Sequence, residues 1–222
     1  MTWKDLFITP MVEVVIVGAA FFSVMQVNKI HRFSFFMNVV LFYGIQVFYT
    51  LMVLKLIRML FPIKGGVYSQ KAKPFSYYIF SLYEFLCITN LNRYYMNIMI
   101  PPVFRKIFYQ FLGAKMGRGI IPIGGRLLNP VHLISIEENV MIGDGAELAP
   151  HSRIMGDIVI LGNIEIKKGA IIGGRSLLMP WVTVGENSMV NSMSFVSVNT
   201  KIPPNEVWGG IPAKKIADMP AS

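Results

Sequence analysis

The sequence predicts a chain that begins as apolar helices and ends as a three-sided solenoid of parallel β-strands. Two observations carry this. Phe35 to Leu54 is a run of twenty residues without a charge, and aliphatic residues recur every six positions from Ile136 to Ile202. The two textures meet near Gly113, where an aromatic, basic stretch gives way to short runs punctuated by glycine. The fold class is therefore mainly β in the C-terminal half. An α-helical membrane region precedes it, with about two transmembrane helices and further helices at the interface. The predicted organisation is a transmembrane hairpin over 1–73, an amphipathic linker over 74–113 and a β-helix domain over 114–222.

Composition supports the first half of this reading. The 222 residues are 54% hydrophobic and only 15% charged, against about 25% charged in an ordinary soluble domain. The net charge is +9. A basic excess beside apolar, aromatic stretches suits an anionic membrane surface. No nucleic-acid-binding motif is present to make that the partner. The single cysteine, Cys87, makes no intrachain disulfide, which is compatible with a reducing compartment.

The run Phe35 to Leu54 is about the length needed to cross the hydrocarbon core. Pro10 to Val27 is a shorter candidate for a first span and contains Glu13. A cleaved signal peptide competes for that segment, but the start has only Lys4 against Asp5 and no small-residue cleavage site. The link between the two runs carries Lys29, His31 and Arg32. The segment after them carries Lys55, Arg58, Lys64, Lys71 and Lys73. That excess places the downstream side, and the β-domain with it, in the cytoplasm as a multi-pass membrane protein.

Glu84, Arg93, Pro101 and Pro102 argue against a third span. Pro102 suits the first turn of a helix and Gly113 its end. Val103, Phe104, Ile107, Phe108, Phe111 and Leu112 recur between them at helical spacing, with Arg105, Lys106 and Gln110 opposite. Such a helix either lies in the membrane interface or caps the next domain with its apolar face, or does both.

The six-residue period then decides the fold. Ile136, Ile142, Leu148, Ile154, Ile160, Ile166, Ile172, Leu178, Val184, Val190, Val196 and Ile202 keep it without a slip. A second column four residues later runs from Val140 and Ala146 to Thr200 and is small or β-branched. Glycines follow the aliphatic position at Gly143, Gly173 and Gly185, where tight corners are expected. Three six-residue sides make one triangular coil of eighteen, with the aliphatic column inside and each coil hydrogen-bonded to the next. No single helix face survives a period of six.

The segments MIGDG (Met141 to Gly145), IIG (Ile171 to Gly173) and VGE (Val184 to Glu186) resemble the hexapeptide-repeat acyltransferases. So does WGGIPAKKI (Trp208 to Ile216), which is similar to the closing motif of that family. The resemblance covers about half of the chain. A finer likeness, over FLGAKMGRG (Phe111 to Gly119) and the repeats after His151, is to the terminal domains of poly-amino-acid peptide synthetases. The resemblance implies a left-handed β-helix, a homotrimer, and acyl-CoA, in the first instance acetyl-CoA, in the groove between subunits. The implied reaction is acyl transfer to a hydroxyl or amine of a small-molecule or lipid-linked acceptor. Membrane location suggests a cell-envelope, glycolipid or polysaccharide-precursor acceptor among membrane lipids.

That chemistry needs a base, oxyanion donors and a place for the CoA phosphates. Histidine suits the first. Of the three histidines, His31 lies in the basic link. His151, three residues after Leu148, is expected to project from a corner as the general base. His132 precedes it by nineteen residues, about one coil, and is expected to assist it. An ordinary outward polar role is the alternative for each. The His-Asp or His-Pro element that many relatives use for the base is missing from this sequence. Glu147 and Glu165 are eighteen apart, so they are expected to stack, with Glu147 able to orient a histidine or sugar; a solvated face is the plainer reading. Asn163 is a further groove candidate.

Trp208, Gly209, Gly210, Ile211, Pro212, Ala213, Lys214 and Lys215 form the expected CoA-contacting loop, the glycines for close approach and the lysines for phosphate. The alternative is that they only cap the solenoid. Carbonic anhydrases of a related β-helix use three histidines. Only His132 and His151 fall in this domain, so no metal is expected. Two rival functions remain: an amide-forming enzyme using a carrier-bound amino acid, and a non-catalytic trimeric membrane scaffold.

Overall fold

Helices α1 (Trp3–Ile30) and α2 (Phe35–Leu60) pack on one another and are joined by a four-residue link. Both are long and apolar enough to cross a membrane, over Phe7–Ile30 and Phe35–Leu60. The computed structural model describes residues 3–69, 75–91, 102–120, 125–154 and 157–220. Lys71, Lys73, Pro74, Arg93 and Pro101 of the sequence reading lie outside the described residues, as do the side chains of Lys4, Asp5, Pro102 and Val103. The chain forms two compact units that are not consecutive: 1–62 with 78–96, and 63–77 with 97–222.

In the first unit several uncharged polar side chains pair between the helices, and many large apolar ones are exposed. Asn28 Nδ2 donates to Asn38 Oδ1 at 2.6 Å, and the Ser23 and Tyr49 hydroxyls are 2.9 Å apart. Ser34 caps α2 by accepting from Met37 N–H. Phe21, Phe22, Val39, Val40 and Phe48 are exposed. A third helix, α3 (Phe75–Leu86), continues into a π turn at Cys87–Leu91.

The second unit is a three-sided parallel β-helix. One side stacks β2 (Lys115–Met116), β4 (Ile134–Ile136), β9 (Ile164–Ile166), β12 (Thr183–Val184) and β15 (Lys201–Ile202). The next stacks β5 (Met141–Ile142), β10 (Ile171–Ile172), β13 (Met189–Val190) and β16 (Glu206–Gly210), closed by the antiparallel β17 (Ala213–Asp218). The third stacks β3 (Arg126–Leu127), β6 (Glu147–Leu148), β11 (Leu177–Leu178) and β14 (Phe195–Val196). The aliphatic column fills the axis: Leu148, Ile166, Ile172, Leu178, Val184, Val190 and Val196 are fully buried. Each such side chain contributes roughly 1.5–3 kcal/mol of transfer energy. The small column lies beside it, with Ala146, Ala170, Ser176, Ser188 and Ser194 buried.

One interruption breaks the stack. Ile172 pairs with Val190, eighteen residues on, but also with Ile142, thirty residues back. The extra twelve residues leave the coil as a hairpin of β7 (His151–Ile154) and β8 (Ile158–Leu161). Strand β1 (Gly66–Ser69) joins it antiparallel to β8. Twelve is two hexads, so the period survives in the sequence although the coil is interrupted. Ile154 therefore does not line the axis; it is 45% exposed on the hairpin. Ile160 is buried, but as a hairpin residue opposite Val67 and Ser152.

The corners also differ from expectation. Left-handed backbone recurs every six residues at Asn139, Gly145, Gly169, Arg175, Trp181, Asn187, Met193, Asn199 and Asn205, three after the inward residue. Asparagine and glycine tolerate it, whereas bulkier residues hold it at a cost of roughly 1–2 kcal/mol. Gly143, Gly173 and Gly185 have no positive φ. They mark where coils touch: a Cβ on Gly173 would lie 2.3 Å from Ser192 N.

Helix α4 (Pro102–Phe111) caps the first coil and keeps an exposed apolar stripe. Tyr109 and Leu112 are buried, and Lys106 Nζ donates to the Gly117 carbonyl at 2.5 Å. Phe104 and Ile107 stay exposed. Burial raises the Tyr109 phenol above its ordinary pKa.

Candidate active site

The first strand of the excursion carries His151. The corner column would have placed residue 151 in a left-handed turn; instead it opens β7, paired with Leu161. Its Nδ1 donates to the backbone carbonyl of Asn129, which lies buried before the short turn Val131–Leu133. A carbonyl only accepts, so Nδ1 carries the proton in this contact. That orientation is the one a general base acting at Nε2 needs.

His132, in that turn, makes a different bond. Its Nε2 donates to the Ile63 carbonyl at 2.8 Å. Ile63 is buried and begins the segment that leads into β1. The ring thus ties this segment to the β-helix. His151 opens the excursion, and the coil below it has a register of twenty-one residues, Leu127 pairing with Leu148, so the nineteen-residue spacing does not stack the two rings directly. They are instead engaged around the single segment 129–132.

The expected Glu147–Glu165 stack is not formed, because the excursion intervenes between them. Glu147 pairs in register with Arg126 below and Leu177 above, and its carboxylate is held by the Arg126 guanidinium. Glu165 lies between Ser135 and Thr183. It shares Lys167 with Glu137, at 3.0 and 3.2 Å. Hydrogen bonds from Glu165 first, then Glu137, raise the Lys167 pKa. An open cleft of ≈ 480 Å³ adjoins this group, lined by Lys115, Met116, Gly117, Ile136, Glu137, Glu138 and Lys168. It contains none of the predicted site residues. Asn163 is exposed at the foot of the hairpin.

The closing motif forms the β16–β17 hairpin at the last coil. Trp208 pairs with Lys215, Gly209 with Lys214, and Gly210 with Ala213, with Ile211 and Pro212 at the turn. A Cβ on Gly209 would lie 2.6 Å from Ile216 Cδ1, so a larger residue there would push the Ile216 side chain aside. Glu206 clamps the hairpin: it accepts from Trp208 Nε1 at 2.7 Å and from Lys215 Nζ at 2.9 Å. Lys215 also meets Asp218 at 2.6 Å. Lys215, then Trp208, lower the Glu206 pKa; Asp218, then Glu206, raise that of Lys215. Lys214 is exposed and has no ion pair among the described residues. The two lysines of the motif are therefore not equivalent.

Three coil steps, about 14 Å, separate the level of β5 and β6 from that of β16 along the axis. The histidine and the lysine loop thus mark two ends of an elongated strip, not one pocket. The sequence reading missed Asn129, Arg126 and Glu206. Arg126 and Glu206 were visible only as charges flanking the repeats, and Asn129 acts through its backbone, which leaves no side-chain signal.

No family model matches the chain. It is 26% identical over 132 residues to the delta-poly-L-ornithine synthetase of Acinetobacter baumannii, covering 60% of this chain and 10% of that one. It is 30% identical over 79 residues to UDP-3-O-acylglucosamine N-acyltransferase 2 of Rhodopseudomonas palustris, covering 36% and 21%. It is 39% identical over 146 residues to the mitochondrial gamma carbonic anhydrase 2 of Arabidopsis thaliana, covering 55% and 52%. The chain spans between a tenth and a half of these relatives. Among solved structures it is similar to a hexapeptide-repeat acetyltransferase of Vibrio cholerae complexed with acetyl-CoA. That match has 21% identity, 58% and 84% coverage and a TM-score of 0.45. The match to UDP-3-O-acylglucosamine N-acyltransferase 2 agrees with the resemblance to an acyltransferase.

A carbonic anhydrase reading would need a three-histidine metal site. The chain has three histidines, and His31 belongs to the helical unit. Among the described residues no three histidine, cysteine or acidic side chains form a group able to hold a metal.

Proposed function

We propose that this chain is a membrane-anchored acyltransferase that moves an acyl group, in the first instance acetyl, from acyl-CoA to a hydroxyl or amine. The observation that carries this is the His151 Nδ1–H held by the Asn129 carbonyl, the orientation that a general base acting at Nε2 needs. In this reading three left-handed β-helices pack side by side, coils parallel, as a homotrimer. CoA lies along the groove between neighbours, its phosphates toward Lys214 and its thioester toward His151. His151 Nε2 takes the acceptor's proton as the acceptor oxygen or nitrogen attacks the thioester carbonyl. The tetrahedral intermediate collapses with cleavage of the C–S bond, and the same proton passes to the departing CoA sulfur. Glu147 serves the site indirectly, by holding Arg126.

The two apolar helices supply the anchor, and the exposed Phe104–Ile107 stripe of α4 suits the membrane interface. A catalytic unit on the cytoplasmic face would act on a lipid-linked or cell-envelope acceptor. Replacing His151 with Ala in folded protein is expected to lower turnover by roughly 10²–10⁴-fold; unchanged turnover overturns the assignment.

The match to a poly-ornithine synthetase favours a second reading, an amide-forming enzyme whose donor is an amino acid on a carrier protein. Calorimetric titration with acetyl-CoA separates the two: binding supports the first, and its absence with activity on a carrier-bound donor supports the second.

A further inference from the structure

We infer that Trp181 is a positioning residue for His151: it braces the neck through which the excursion leaves the solenoid and re-enters it. This deepens the proposed function and rests on the reading of His151 as the base.

Trp181 holds a backbone that suits it badly. Seven described residues other than glycine have positive φ, and four of them are asparagine. Trp181, at φ 62°, is the only aromatic among them. A bulky side chain in this region is an outlier, and it persists only where its surroundings fix it. Asn199, eighteen residues on, makes the same turn at the same corner with the residue type that tolerates it.

The coil beneath accounts for the indole. There the chain reaches Pro150, leaves as β7 and β8, and returns at Gly162. The Gly162 N–H donates to the Pro150 carbonyl at 2.8 Å, which closes the neck. A Cβ on Gly162 would fall 2.6 Å from Trp181 N, 2.7 Å from Trp181 Cγ and 2.8 Å from Pro180 Cβ. Gly162 is therefore seated directly on Pro180 and Trp181. A Cβ on Gly65, just before β1, would lie 3.8 Å from the indole Nε1. One side chain thus lies against the neck and beside the segment that enters the excursion sheet.

The brace is itself anchored in the regular coils. Lys201 Nζ donates to the Trp181 carbonyl and Asn199 N–H to the Pro180 carbonyl, each at 2.9 Å. Pro180 and Val182, on either side of Trp181, are buried.

From the neck to the histidine the path is short. His151 follows Pro150 directly and pairs in register with Leu161, the residue before Gly162. A shift of Gly162 moves both flanks of the histidine and with them the directional contact of Nδ1 with the Asn129 carbonyl. Misplacement by about 1 Å can cost about a hundredfold in rate.

Trp181→Asn gives the corner a residue its turn accepts and removes the brace. The full-length protein is compared with its parent in detergent. Thermal unfolding is expected to keep a single cooperative transition. Turnover kcat should fall by roughly 10–100-fold while KM for acetyl-CoA stays within about threefold. In 15N-histidine-labelled protein, the His151 ring resonances are assigned by their loss in His151→Ala. They are expected to show Nδ1 protonated in the parent and only partly so in Trp181→Asn. Trp181→Phe, which keeps an aromatic plane against the neck, should restore most of the turnover and the parent resonances. Should Trp181→Asn misfold, Trp181→Gly takes its place, since glycine relaxes the backbone fully. Parent turnover and parent resonances in the folded variant overturn the inference and leave His151 as the base. Lowered turnover with unchanged resonances also overturns it, because Trp181 then acts other than through this ring. Altered resonances in Trp181→Asn, beside full turnover in His151→Ala, keep Trp181 as the brace of the ring and retire the base.

Discussion

Leu178 is paired with Leu148 in the same parallel sheet, thirty residues away along the chain, whereas Val196 is paired with Leu178 at eighteen. The difference is the twelve-residue excursion that presents His151. Because twelve is a multiple of six, removing residues 150–161 would bring Ile166 to the position the period demands after Leu148. The shortened protein is expected to keep its β-helix, read as retained β-sheet circular dichroism and cooperative melting, and to lose acyl transfer. Removing three residues from the same place would instead turn the aliphatic column outward and abolish the cooperative transition.

The same excursion separates two residues that look equivalent in the sequence. Leu178→Ala opens a cavity in the axis and is expected to cost about 2–5 kcal/mol. Ile154→Ala, on the exposed hairpin, should cost less than about 0.5 kcal/mol. Chemical denaturation of the two variants in detergent checks this; equal losses would return Ile154 to the core.

The period made the solenoid legible because each inward side chain occupies a fixed place in a coil, and burial of Leu148, Ile166 and Leu178 enforces it. The excursion was illegible because it preserves that phase. Its cost fell on the site: the supposed neighbours Glu147 and Glu165 were counted across coils that the chain had left. The corner residues were misplaced for another reason. Gly143, Gly173 and Gly185 are glycines for close approach of coils, while the turns themselves use asparagine, glycine and even Trp181. The orientation of His151 depends on a backbone carbonyl, which no side-chain pattern reports.

His132 was expected to assist His151, but its Nε2 bond to the Ile63 carbonyl gives it a structural task. His132→Ala is expected to destabilise the segment 63–69 by roughly 0.5–1.5 kcal/mol. Its turnover in folded protein should remain within about tenfold of the parent, unlike that of His151→Ala. Hydrogen exchange at Val67 and Tyr68, measured beside activity, distinguishes a strap from a catalytic partner.

The closing hairpin should respond to pH from both sides. Lys215 and Trp208 hold the Glu206 carboxyl below its usual pKa, so its stabilising contribution is complete above the ordinary carboxylate range. It is lost as pH falls through the lowered value. Asp218 and Glu206 hold the Lys215 ammonium above its usual pKa. That contribution is complete below the ordinary lysine value and is lost as pH rises through the raised one. Amide protection of β16 and β17 is therefore expected to be highest around neutrality. Glu206→Gln should flatten the acid limb; an unchanged limb would mean that the clamp does not order the hairpin.

The clamp also divides the work of the two lysines in the closing motif. Lys215 is held between Glu206 and Asp218, so its charge is already answered within the hairpin. Lys214 projects from the opposite face of β17, since neighbours on a strand alternate, and it is exposed. If this loop takes the CoA phosphates, Lys214→Ala removes a charge-assisted contact and should weaken CoA binding by roughly tenfold or more. Lys215→Ala should act mainly by loosening the hairpin, with increased amide exchange in β16. Titration of CoA against both variants measures this directly. An unchanged dissociation constant for Lys214→Ala would take the loop out of cofactor binding and leave it as the cap of the solenoid.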